Sequence, residues 1–199
     1  MAIVIDGSAN TIAGLAVGGL PDGSVDTDTL AANAVTAAKS TISPGITGYD
    51  TWSLTADKNW SGTNYMNDDW VRNTNLPSIG SAMTATSGNM TFPTTGIWEV
   101  TFFAVARDAT ENAYTQIWVD KSTDGGSNWA KVCSSTDSIP DDGSNNTYGA
   151  TFCVGAVDVT STSNVKVRFG TANEQGAVFK GDSAVELKTA AIFKRIGDT

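Results

Sequence analysis

Residues 97–107 read Ile-Trp-Glu-Val-Thr-Phe-Phe-Ala-Val-Ala-Arg. No Gly or Pro interrupts the run, and β-branched and aromatic residues dominate it, so it predicts a strand. Successive side chains of a strand point to opposite faces, which gathers Trp98, Val100, Phe102, Ala104 and Ala106 on one side. The other side carries Ile97, Phe103 and Val105 among Glu99, Thr101 and Arg107. One face suits a core. The second is too apolar for a lone antiparallel sandwich to leave in water.

Strand-like runs recur at 114–120, 129–135, 148–159, 164–169 and 184–196. Turn-forming clusters separate them: Asp-Gly-Gly-Ser-Asn at 124–128, Pro-Asp-Asp-Gly-Ser-Asn-Asn at 140–146 and Asn-Glu-Gln-Gly at 173–176. Val165, Val167 and Phe169 alternate with Lys166 and Arg168, the pattern of a one-sided strand. Near the end of the chain Ala190, Ile192 and Ile196 oppose Leu187, Ala191 and Phe193, again apolar on both sides. Short strands joined by Gly- and Asn-rich turns, with no sustained helical period, predict an all-β antiparallel sandwich. Self-association would bury the second apolar face, unless these strands merely pass beneath loops.

Composition narrows the function classes. The 199 residues hold 12 basic and 21 acidic side chains, a net charge of −9, together with 27 Thr, 18 Ser, 14 Asn and 20 Gly. A pI of about 4.3 argues against a nucleic-acid partner, whose phosphates call for clustered Lys and Arg. No run approaches the ~20 apolar residues of a membrane-spanning helix, so no membrane insertion is expected. The opening Met-Ala-Ile-Val-Ile-Asp lacks a basic segment, so no cleaved signal peptide is expected. Histidine is absent, which removes Ser-His-Asp and Cys-His pairs and His-ligated zinc. Cys133 and Cys153 are too few for a disulfide framework. If 131–135 and 151–155 were arms of one hairpin centred near Gly143, the two thiols would face each other, as a bridge or as small buried hydrophobes.

The first 41 residues contain no aromatic side chain and one base, Lys39, and cannot repay the entropy of ordering them by burying their own surface. A faint ten-residue echo relates 23–27 to 33–37. Residues 28–39 form either a short helix or an Ala-rich linker, so the segment is an extended or short-helical stem. Ser43-Pro44-Gly45 and Thr47-Gly48 mark a boundary, and all six tryptophans lie beyond it.

Residues 86–107 resemble the opening signature of the C1q/TNF-like trimeric jelly roll, carried here by Gly88, Phe92, Pro93, Gly96, Trp98, Val100 and Phe102. Asn164-Val165-Lys166-Val167 resembles a later strand of that family, with Ser163-Asn164 where the family has Gly-Asp, and 189–193 resembles its closing strand. Residues 11–39 are similar to the stems of tailed-phage fibre proteins, with a phrase of the type Gly-Ser-Val-x-x-x-x-Leu-Ala-x-x-Ala-Val-Thr-x-Ala-Lys. Together the resemblances imply a homotrimeric virion fibre assembled in the host cytoplasm. It would be a tail fibre or, since the chain is short for one, a head fibre, collar fibre or decoration protein. Its parts would be a virion anchor at 1–22, with Ile3, Ile5, Ile12, Leu15 and Leu20 toward other virion proteins, a stem at 23–47 and a jelly-roll head at 48–199. Phe103, Val105, Ile192 and Phe193 would meet on the threefold axis. The alternative is a cellular C1q-like carbohydrate- or protein-binding module.

Candidate chemistry is sparse. The acidic pairs Asp68-Asp69 and Asp141-Asp142 sit in turn-like sequence, and adjacent strand residues face opposite ways, so no enzyme is expected. Asp137, Asp141, Asp142 and Asn145 offer oxygen ligands to Ca²⁺ but without EF-hand spacing, and a solvated hairpin tip is the preferred account of them; no other cofactor is expected. Trp52, Trp60, Tyr65 and Trp70, interleaved with Asn, Asp, Ser and Thr, suit stacking and hydrogen bonding to a host-surface glycan or protein, or else cover the sandwich as its first strands. Trp98 and Trp118 belong to core or interface, while the loops around Asn112, 124–128 and 141–146 are expected on the surface.

Overall fold

The computed structural model describes residues 4–6, 11–13, 45–67, 69–143, 146–182 and 187–199. The chain divides into two units, Met1–Pro44 and Gly45–Thr199. In the first, β1 (Val4–Asp6) and β2 (Thr11–Ala13) pair antiparallel with Ile5 opposite Ile12. Ile3, Leu15 and Leu20, and the expected helix at 28–39, lie outside the described residues.

The second unit contains β3 (Gly48–Leu54), β4 (Lys58–Tyr65), β5 (Trp70–Arg72), β6 (Thr84–Thr86), β7 (Asn89–Thr91), β8 (Gly96–Asp108), β9 (Asn112–Ser122), β10 (Ala130–Ile139), β11 (Thr147–Val159), β12 (Lys166–Phe179) and β13 (Ala190–Gly197), with no helix among the described residues. One layer runs β5–β3–β13–β8–β11; the other runs β10–β9–β12, with β4 and β7 both on the free side of β12 and β6 beside β7. Every pairing is antiparallel. The end of β12 crosses between layers, placing Val178 and Phe179 beside Arg107 and Ala106 of β8. The result is an all-β jelly roll.

The alternation in β8 does what its sequence requires. Trp98, Val100 and Phe102 are fully buried, while the intervening residues are only half-buried. Phe102 from one layer meets Phe169 from the other at 4.9 Å between ring centroids, and Trp70 and Phe193 close on Phe169 at 5.1 and 6.1 Å. Rings from three strands thus converge on one ring of the facing sheet, an arrangement that contributes stability beyond the area it buries. Entry into β8 depends on Gly96: its φ is +132°, and a Cβ there would lie 2.5 Å from Arg195 Nε.

Four expectations need correction. Phe193 belongs to the core and not to an outer interface, because its register partner is inward-facing Val100, whereas neighbouring Ile192 pairs with outward-facing Thr101. Trp70 is also in the core, against Phe102 and Phe169, and is not available to a receptor. The turn expected at 173–176 is a bulge: β12 runs through it, and its pairing with β4 skips from Asn173 to Ala177. Finally, β10 and β11 are not a hairpin. They belong to different layers, pairing with β9 and β8, and meet through side chains such as Thr151, whose hydroxyl donates to Ser135 Oγ at 2.8 Å. Cys133 and Cys153 nevertheless lie together as free thiols sharing a hydrogen bond. That bond lowers the pKa of Cys133, while the same bond and burial raise that of Cys153.

Candidate functional site

The outer faces of the two layers have opposite characters. On the β8–β11 side, the register puts Phe152 beside Phe103, Ala150 beside Val105, and Val154 and Ile192 on either side of Thr101. Phe152 is 66% exposed, and Val154, Tyr148 and Ile196 are exposed as well. Three of the residues expected at a threefold interface, Phe103, Val105 and Ile192, lie on this apolar surface, each half-buried. Phe152 and Val154 were not singled out from the sequence, although 148–159 alternates plainly enough to place both on one face.

The outer face of β4, β12, β9 and β10 carries a ladder of rings and cations. Gly170 pairs with Tyr65 on one side and Trp118 on the other. A Cβ at Gly170 would lie 2.2 Å from Trp118 Cε2, so the glycine lets the indole lie across β12. Tyr65 meets that indole edge-on, with centroids 5.8 Å apart, and Lys131 Nζ sits 4.6 Å from its centre. One pair along, Arg168 stands opposite Asp120. Its Nε and Nη2 donate to Asp120 Oδ2 at 3.3 and 3.2 Å, and Nη2 donates to Tyr65 Oη at 3.0 Å. The Tyr65 hydroxyl completes the triangle by donating to the same carboxylate oxygen at 3.2 Å. The guanidinium is flanked by rings, 3.8 Å from the centre of Tyr65 and 4.3 Å from that of Trp129.

Trp129 is positioned by the loop before β10. Ser122 Oγ donates to Asp124, whose carboxylate accepts the backbone N–H groups of Ser127 and Asn128 and the Asn128 side-chain amide. These bonds, those from Asn128 foremost, hold the Asp124 carboxyl far below its ordinary range. The Trp129 indole N–H donates to Gly126 O at 2.9 Å. Between this loop and β4 lies a groove of about 430 Å³ walled by Tyr65, Arg168, Trp129, Asn64, Asn67 and Asn89. A smaller hollow of about 160 Å³ also ends on Trp129, with Lys121, Thr123, Asn128 and Ala130 as its other walls.

Of the four aromatics expected to meet a receptor, only Tyr65 reaches this groove. Trp52 is half-buried and donates its indole N–H to Asp50, and half-buried Trp60 rests on Phe179 at 5.7 Å. Trp129, Arg168 and Asn89 were missed. They stand on three separate elements, and only the register of β12 and the 123–129 loop assembles them. Asn112, expected on the surface, is buried: its amide donates to Asp108 and to Gly176 O, and its oxygen accepts the Glu174 N–H, tying the β8–β9 turn to the bulge of β12.

Among the described residues no group of three His, Cys, Asp or Glu side chains could hold a metal ion, and Asn145, the fourth candidate ligand, lies outside them. Asp137 and Asp141 instead accept the N–H groups of Ser138 and Gly143. Asp69 pairs with Lys58.

No family model and no curated protein matches this sequence. Among solved structures, Eiger TNF from S. frugiperda superposes with a TM-score of 0.56 over 76% of this chain and 93% of that one, at 12% identity. Murine APRIL at pH 5.0 gives 0.47 over 74% and 99%, at 13% identity. The Eiger likeness establishes a TNF-like jelly roll and, at that identity, nothing beyond the fold.

Proposed function

We propose that the protein is a non-catalytic attachment module, a homotrimer whose head is the jelly roll and whose N-terminal unit fixes it to a virion as a short fibre. The observation that carries this reading is the apolar row on the β8–β11 face, where Phe152, Phe103, Val154, Val105 and Ile192 adjoin one another and Phe152 and Val154 are open to water. A second copy is the natural cover, because a closed ring removes the same patch from solvent in every subunit. The TNF-like fold and the similarity of 11–39 to phage fibre stems support the trimer and the particle in turn. The complete absence of histidine and the lack of a convergent acid pair among the described residues support a binding role over a hydrolytic one. Light scattering on the full chain tests the reading: about 62 kDa, three times the 20.7 kDa chain, is expected, and a stable monomer would overturn it. Incorporation into particles, lost when residues 1–22 are deleted, tests the virion assignment separately.

A further inference from the structure

We infer that the groove walled by Tyr65, Arg168 and Trp129 binds a neutral oligosaccharide, with Trp129 as the platform shared by adjacent sugar units; the inference rests on the attachment reading and supplies its ligand class. Three observations converge on it. The groove volume of about 430 Å³ falls within the size of small-ligand sites, and a second hollow of about 160 Å³ also ends on Trp129. Pyranose rings present an apolar C–H face and a rim of hydroxyls. Here an indole held by its own N–H bond to Gly126 meets the first requirement, and an amide rim meets the second. Asn67 and Asn89 make no side-chain hydrogen bond to another described residue, so both amides are available to vicinal hydroxyls, each as donor and acceptor.

Electrostatics choose the class. Arg168 would attract a carboxylate or sulfate if it were unpaired, but Asp120 already takes two of its donors. The chain as a whole carries −9, which repels a polyanion. Arg168 therefore acts as a positioning residue that fixes Tyr65 and Trp129 on its two sides and presents their rings at a set spacing. The site is also on the layer opposite the apolar row, so a trimer closed through Phe152 leaves three copies open.

The test is retention of the full chain on an array of immobilised oligosaccharides, with neutral hexose and N-acetylhexosamine chains beside uronate-containing and sulfated ones. A host envelope protein fraction is blotted in parallel. Retention on neutral glycans is expected, lost at least tenfold in Trp129→Ala, reduced at least threefold in Asn89→Ala and largely kept in Trp129→Phe. Asn89 is half-buried on the rim, so its variant reports binding even if the tryptophan deletion unfolds the loop. No retention, retention only on acidic glycans, retention only on protein, or retention indifferent to both Trp129→Ala and Asn89→Ala would each overturn the assignment. Light scattering on the same samples separates the two proposals: a trimer that binds no neutral glycan removes this site alone, whereas a monomer removes the attachment trimer.

Discussion

Phe152→Ser is the sharpest test of how the head assembles. The ring stands on β11 with 66% of its surface in water, packed beside Phe103 and away from the core. A phenylalanine carries about 200 Å² of side-chain surface, so an interface that covered it completely would remove about 130 Å² of apolar area per protomer. At about 25 cal/mol per Å² that is about 3 kcal/mol for each copy and about 10 kcal/mol for a trimer, an upper bound on the loss. Association would weaken by several orders of magnitude while the protomer, losing an exposed side chain, would change in stability by no more than about 0.5 kcal/mol. Sedimentation equilibrium across a dilution series reads the first quantity, and far-ultraviolet circular dichroism checks the second. Trp129→Phe, on the other layer, serves as a control and is expected to leave the mass unchanged. If Phe152→Ser keeps the parent's mass and dilution midpoint, the apolar row is not the subunit contact and the reasoning from it fails.

Gly170→Ala drives a methyl into the Trp118 indole at 2.2 Å and should cost about 1–3 kcal/mol, seen as a lower denaturant midpoint and an altered near-ultraviolet dichroism band; an unchanged band would show that the indole has room to move. Burial raises the Asp57 pKa, but hydrogen bonds from Lys180 and the Gly181 N–H outweigh it, leaving the carboxyl below 3.8. Its contribution is therefore complete above 3.8 and is lost as pH falls below that value, so Tm should drop less steeply in Asp57→Asn than in the parent over the same acid range. Mild oxidation with a glutathione redox buffer should join Cys133 to Cys153 within one chain, taking the thiol titre from two to none; disulfide-linked dimers on a non-reducing gel would contradict the placement of the thiols.

The legibility of this fold follows the range of the forces involved. Period-two alternation is local, so β8 and the one-sided start of β12 could be read directly, and with them the inner face from Trp98 to Ala106. Register is not local. Which neighbour Phe193 faces depends on where β13 seats against β8, and a shift of one residue would exchange it with Ile192. The bulge in β12 escaped notice because Asn-Glu-Gln-Gly is turn chemistry, and only its pairing with β4 shows that the chain continues. The groove was harder still. Arg168 read as the solvated side of a strand and Trp129 as the start of another, and nothing in either segment announced that Asp120 would draw the arginine between two rings. Tyr65 stands out in the sequence because its stretch is visibly rich in aromatics and amides; the company it keeps in the structure comes from elsewhere in the chain.

The first and last strands of the jelly roll are neighbours. Gly48 pairs with Arg195, and from there to Ser53 with Ala190 the two strands run antiparallel. A pull applied at residue 45 along the axis of β3 would load that strand lengthwise. Under that geometry the hydrogen bonds to β13 are sheared together instead of being unzipped one after another. β13 in turn leans on β8, whose thirteen residues pair with β11 along their full length. A head built this way should yield at much higher force when drawn by its N-terminal strand than when peeled from the edge at β10. On the attachment role proposed above, that difference, measurable by optical tweezers, would suit an adhesive that must hold a particle against flow.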